Sequence, residues 1–146
     1  MTVVTGRDCS VANALALIGD RWSLLVLREA LLGFRRFDQF AHNTGASRDI
    51  LAARLKTLVA AGVLRREQYS DRPPRHEYVL TESGRALRPV LMALMEWGNN
   101  YATPGDPPTV WEHDCGAEFQ PTMVCAACGD SADETNLRPI RVGRVP

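Results

Sequence analysis

No segment of this 146-residue chain is apolar for long enough to cross a bilayer. The most apolar stretch, Leu24 to Leu32, is cut by Arg28 and Glu29, whereas a spanning helix needs about 20 apolar residues. The opening residues, MTVVTGRDCS, lack the basic stretch followed by an apolar one that marks an export leader. A soluble, cytoplasmic chain with no membrane partner is expected. Catalytic signatures are scarce too. No His-Glu-x-x-His helix, Ser-His-Asp constellation or glycine-rich phosphate loop occurs, and there are only 3 histidines. An enzyme is not expected.

Net charge is absent as well, since 17 Lys+Arg balance 17 Asp+Glu. The balance hides an asymmetry. Residues 1–103 carry 14 basic against 10 acidic side chains, while 104–146 carry 3 against 7. Between Arg21 and Arg75 the count is 11 against 5. A basic stretch attracts the phosphate backbone and releases its counterions; an Arg-rich solvated surface is the plainer alternative. The apolar share of 45% is ordinary for a globular protein. The length fits one domain, or one small domain with a structured tail. Pro104-Gly105-Asp106-Pro107-Pro108 marks the boundary. We therefore divide the chain into domain 1–103 and tail 104–146.

Hydrophobic spacing predicts five helices and a hairpin. Val11, Leu15 and Ile18 place a helix over Cys9 to Ile18, with Asp8 or Ser10 as N-cap. A second, from Arg21 to Leu32, is apolar on nearly all sides and so belongs in the middle of the domain. A third spans Phe34 to Asn43 with Phe37 and Phe40 inward. Ser47 caps a fourth that reaches Ala61 before Gly62 stops it.

In the fourth helix Leu51, Leu55 and Leu58 recur at i, i+4 and i+7 and form the buried stripe. Asp49, Ala53, Lys56 and Ala60 lie roughly opposite, Ala52 and Thr57 beside them, Arg48 and Arg54 on the flanks. Small outward side chains let a helix backbone sink into a major groove while polar groups of its first turns reach base edges. An ordinary surface helix rich in alanine reads the same way by itself. Its neighbours favour the groove reading. Val63 to Tyr69 and Arg75 to Leu80 read as strands joined by Ser70-Asp71-Arg72-Pro73-Pro74. A short helix, a turn, a longer helix and a basic-tipped hairpin follow the order of a winged helix. The last helix starts near Thr81-Glu82-Ser83 and runs to Tyr101, with Pro89 predicting a kink near Arg85 to Ala86. Its apolar face is too wide for so small a domain, which points to subunit pairing.

The residues resemble a known family. Cys9-x-Val11, Leu17-Ile18-Gly19-x-x-Trp22-x-x-Leu25-x-Leu27-Arg28 and Gly33-x-x-Arg36-Phe37 look like the start of an HxlR-type regulator. Ser47-x-x-x-Leu51-x-x-Arg54-Leu55-x-x-Leu58 looks like its recognition helix. Tyr69 and Pro74-Arg75-x-Glu77-Tyr78-x-Leu80-Thr81-x-x-Gly84 look like its wing and the start of its last helix. The likeness covers about two-thirds of the chain, Cys9 to Tyr101. It implies a mainly α fold with a small β-hairpin wing (α+β, a winged helix-turn-helix), a homodimer built from N- and C-terminal helices, and control of nearby genes. In many such proteins a cysteine equivalent to Cys9 senses electrophiles or oxidants. Acidic Asp49 departs from the family, which often has a basic or polar residue there.

The function expected is therefore sequence-specific binding of double-stranded DNA by a homodimeric transcription regulator, as a repressor, responsive to oxidants or to a small-molecule effector. Ser47, Ala52 and Ala53 would form the groove-facing surface, with Arg48, Asp49 and Lys56 as base-edge candidates. Arg36 and Arg54 would contact phosphates, and Arg72 and Arg75 would act from the wing. Trp22, Trp97, Met92 and Met95 could line an effector cleft, although core packing explains all four. The alternative function is a winged-helix protein-interaction adaptor without DNA binding.

Four cysteines complete the inventory. Cys9 stands near a helix N-terminus, which favours thiolate, while Asp8 opposes it; a small buried apolar side chain is the plain reading. In the tail, Cys125-x-x-Cys128-Gly129 has the shape of a zinc knuckle, and His113 with Cys115 could supply two further ligands to one structural Zn2+. Three thiolates without His113, a redox dithiol and free thiols are the competing readings.

Overall fold

In a computed structural model the described residues are 6–145. Among them α1 spans Ser10–Ile18, α2 Arg21–Leu31, α3 Phe37–Thr44 and α4 Arg48–Ala60. The hairpin strands are β1, Leu64–Asp71, and β2, Pro74–Leu80, followed by α5, Glu82–Arg85, and α6, Arg88–Tyr101. No single helix among these is long and apolar enough to cross a membrane.

Local chemistry sets the helix ends. Asp20 caps α2, its Oδ1 accepting the amides of Trp22 at 2.9 Å and Ser23 at 3.2 Å. Ser47 caps α4 by accepting the Ile50 amide at 3.3 Å. Gln39 reaches back from α3 to the amide of Arg36 at 3.0 Å, so α3 starts at Phe37 rather than at Phe34. Cys9 itself is the N-cap residue of α1, in place of Asp8 or Ser10, and its side chain makes no capping bond.

Helix α2 is central, packing on α3, α4 and β2. Val26, Leu27, Phe40, Leu51, Leu55, Leu58 and Leu64 are the fully buried apolar side chains. The helix is less apolar inward than its sequence predicts, because Ser23 and Glu29 are buried with it. Both Glu29 oxygens are satisfied: Oε1 accepts from Arg28 Nε at 2.7 Å and Oε2 from Asn43 Nδ2 at 2.7 Å. A buried carboxylate paired this way holds α2 to the end of α3 without leaving a bare charge.

Strands β1 and β2 pair antiparallel, Leu64 opposite Leu80 and Asp71 opposite Pro74, with an irregularity between Gln68 and Ser70. Both strands extend further toward the tip than expected. Pro74 can start a strand because its missing N–H falls on an edge. Tyr78 donates its amide to the Arg35 carbonyl at 2.8 Å, which ties the wing to the segment before α3.

The last helical run is broken rather than kinked. Pro89 cannot donate back into a helix continuing from α5, so the chain restarts at Arg88, where proline is tolerated in the first turn. Gly84 in α5 is buried, and a Cβ there would lie 2.3 Å from the Val63 carbonyl oxygen, so only glycine fits this close approach. The break also separates two compact units. One runs to Arg88 and takes in the chain again from Gly143; the other is Pro89–Val142. The first unit is a winged helix-turn-helix, mainly α with a small hairpin.

Candidate nucleic-acid interface

The outward face of α4 is open. Ser47, Arg48, Asp49, Ala52, Ala53, Lys56, Thr57 and Ala60 are all exposed, while Leu51, Leu55 and Leu58 are buried. Three leucines anchor the helix from below, so the alanines above them present backbone rather than bulk. The rim of this face is cationic, but its cations are not equivalent. Arg48 Nη1 lies 3.0 Å from Asp38 Oδ1 and its guanidinium 4.7 Å from the Phe37 ring centroid. With the Arg48 and Asp38 side chains 71% and 84% exposed, that pair is weak and easily exchanged for phosphate. Arg36 stacks 4.8 Å from the centroid of Tyr69, an exposed wing residue. Sequence reasoning missed Phe37 and Tyr69 as platforms for these arginines, because each ring is far in sequence from the guanidinium it meets.

Arg54 is held differently. Its Nε sits 3.3 Å from Asp20 Oδ1, outside hydrogen-bonding geometry, since that oxygen already accepts the two α2 amides. Arg54 braces α4 against the start of α2, a role that its expected phosphate contact left out. By contrast, no ion-pair partner is found among the described residues for Lys56, Arg72 or Arg75. Arg72 and Arg75 flank the exposed hairpin tip, where Arg72 and Pro73 are joined by a cis peptide bond.

A profile described as HxlR-like helix-turn-helix matches residues 17–106. The chain belongs to the HxlR-like helix-turn-helix family. The HTH-type transcriptional regulator Rv3095 of Mycobacterium tuberculosis strain H37Rv is 45% identical over 132 residues, covering 89% of this chain and 84% of the relative. Among solved structures, the transcription factor PA1607 is 36% identical with a TM-score of 0.79, covering 92% and 95% of the two chains. The redox regulator HypR in its reduced form is 33% identical with a TM-score of 0.59, covering 63% and 92%. The protein is thus a helix-turn-helix transcriptional regulator and not an enzyme.

In this HxlR-like regulator Cys9 is exposed at the start of α1, not packed as a small core side chain. The neighbouring Asp8 amide donates to the Arg144 carbonyl at 3.0 Å, and Arg7 Nη1 to that of Gly143 at 2.8 Å, so the chain end borders the Cys9 segment. Two helices keep apolar faces open: Val11, Leu15 and Leu17 on α1, and Val90, Leu94, Trp97 and Tyr101 on α6. Trp97 is therefore no core residue, whereas Met92 is buried.

The tail cysteines are exposed free thiols. Backbone N–H groups of Cys128 and Ala127, together with the Cys128 thiol, hold the Cys125 thiol below its ordinary pKa. His113 Nδ1 accepts the Cys115 amide at 3.2 Å. Among the described residues no three His, Cys, Asp or Glu side chains converge as a ready ligand set. A cavity of about 200 Å³ lies between α6 and the following segment, lined by Met95, Asn99, Trp111, Phe119 and Gln120 among others. It is smaller than the roughly 300–1,000 Å³ clefts that hold drug-sized ligands.

Proposed function

We propose that this regulator is a homodimeric, sequence-specific repressor that reads duplex DNA with α4 and clamps the backbone with its wing. The observation that carries the reading is the α4 surface, whose small residues stand clear of the domain between Ser47, Lys56 and the free wing arginines. A helix with such a face enters a major groove without a bulky side chain holding it off. The open apolar faces of α1 and of α6 each support pairing of two copies, because exposed apolar side chains at helical spacing mark interaction surfaces. A two-fold dimer sets its recognition helices about 34–36 Å apart, one turn of DNA, which predicts a pseudo-palindromic operator.

The test is selection of genomic fragments by the purified protein, followed by titration of a recovered fragment across a salt series. Arg75→Ala should weaken binding several-fold on every sequence and flatten the slope of log K against log salt by about one unit, the loss of one phosphate contact. Recovery of no fragment, or identical salt curves for variant and wild type, refutes the role assigned to the wing.

The signal we propose is an oxidant acting on Cys9 rather than a bound small effector. Cys9 is accessible beside the unpaired amides of a helix N-terminus. Hydrogen peroxide should release DNA from the wild type and leave Cys9→Ser bound. A Cys9→Ser protein released as readily as wild type moves the signal elsewhere.

A further inference from the structure

The tail holds a thiol pair that neither the DNA-binding reading nor the Cys9 signal uses. Cys125 and Cys128 are both exposed and both free. They share one tight turn. The Gly129 amide closes it on the Cys125 carbonyl at 2.7 Å, with Gly129 left-handed at φ 81°. That i to i+4 bond makes the segment a single helix-like turn. Around it the Cys125 amide donates to the Asp130 carbonyl at 2.9 Å and the Ala132 amide to the Met123 carbonyl at 2.8 Å, so that Val124 bridges Ser131. Backbone bonds thus hold the turn, although beyond Met92 no described residue is buried. Oxidant and reductant alike can reach it.

Residues three apart on such a turn bring their Cβ atoms to about 5–6 Å, and a disulfide needs about 3.5–4.5 Å. A small local movement closes that gap. The Cys128 thiol already donates to the Cys125 sulfur, so the two side chains face one another. The other cysteines are placed differently. Cys9 opens α1, and Cys115 lies on a separate turn, which the Gly116 amide closes on the His113 carbonyl at 2.8 Å. Among the described residues no third His, Cys, Asp or Glu joins the pair in a metal-holding group. Each sulfur of the pair is left with the other as its partner.

From this placement we infer that Cys125 and Cys128 are a redox-active dithiol, which a hydroperoxide converts to an intramolecular disulfide and a dithiol reductant restores. In the first step the Cys125 sulfur attacks one peroxide oxygen. The O–O bond breaks, Cys125 becomes a sulfenic acid, and the other oxygen leaves as water with the thiol proton. The Cys128 sulfur then attacks the Cys125 sulfur. The S–O bond breaks, and the hydroxyl leaves as water with the Cys128 proton. Two thiols have lost two electrons, and one peroxide has become two waters. Cys125 attacks first because the amides of Ala127 and Cys128 donate to its sulfur and favour thiolate there. The disulfide ring is short and open to solvent, and strained or exposed disulfides are the readily reduced ones. This site is independent of Cys9 and of the α4 face.

The experiment is hydrogen peroxide titration of the whole chain carrying Cys9→Ser, followed by alkylation and peptide mass mapping. That variant keeps Cys115, Cys125 and Cys128. It should lose two free thiols to a Cys125–Cys128 link, keep Cys115 open to alkylation, and regain both thiols with dithiothreitol. Adding Cys128→Ser should stop the reaction at a sulfenic acid on Cys125 that a dimedone probe labels. Adding Cys125→Ser instead should slow oxidation of the tail by at least about tenfold. With Cys9 removed, a missing link counts against the tail pair alone and leaves the DNA-release test at Cys9 standing. The inference is overturned if peroxide leaves all three thiols free, or if Cys115 supplies either sulfur of the link. It is equally overturned if the pair reacts only after a chelator has stripped a bound metal ion.

Discussion

Replacing Ala53 by glutamate should lower operator affinity by about 100-fold, a loss on the order of 3 kcal/mol. Ala53 sits mid-way along the open face of α4 with its side chain exposed. Glutamate there adds bulk where the helix backbone must approach the bases, and sets a carboxylate against the phosphates. Both effects act only in the complex. The free protein should change by less than about 0.5 kcal/mol, because the site is exposed and both residues favour helix. Fluorescence anisotropy on a labelled operator at fixed salt measures the first effect, and thermal melting the second. An Ala53→Glu protein that melts normally and binds like wild type would take α4 out of the DNA interface. The test is sharper than charge removal at the rim, where Arg48 and Arg54 also have intramolecular partners.

The second large effect is in the opposite direction along the same helix. Leu55 has no exposed surface, so Leu55→Ala should cost about 2–5 kcal/mol, the transfer term plus that of the cavity left behind. For a domain of this size that lowers the melting temperature by roughly 10 °C or more. Lys56, the next residue, points outward and has no ion-pair partner among the described residues. Lys56→Ala should leave the melt within about 0.5 kcal/mol of wild type. Chemical denaturation of the pair gives a direct comparison. A cost below about 1 kcal/mol at Leu55 would contradict a closed core beneath α4.

Glu29 and Arg54 show where reading by pattern fails. A charged residue within an apolar run reads as an interruption, as Glu29 does within Leu24 to Leu32. In the fold it is buried, because Asn43 and Arg28 meet both of its oxygens. Arg54 reads as a flanking cation free for phosphate until Asp20 is found beside it. Partners distant in sequence make these differences, and no local window contains them.

What the sequence settled by itself was whatever depends on period and neighbours. The leucines at 51, 55 and 58 fixed the buried side of α4, Ser47 its start, and the turn-forming residues around Pro73 the wing. Each follows from backbone geometry within a few residues, where side-chain spacing and capping bonds act directly. The tertiary structure decided the break at Pro89, the pairing of Arg54 with Asp20 and the accessibility of Cys9. Those depend on which distant groups meet once the core has closed, and burial and electrostatic pairing are properties of that meeting rather than of any single segment.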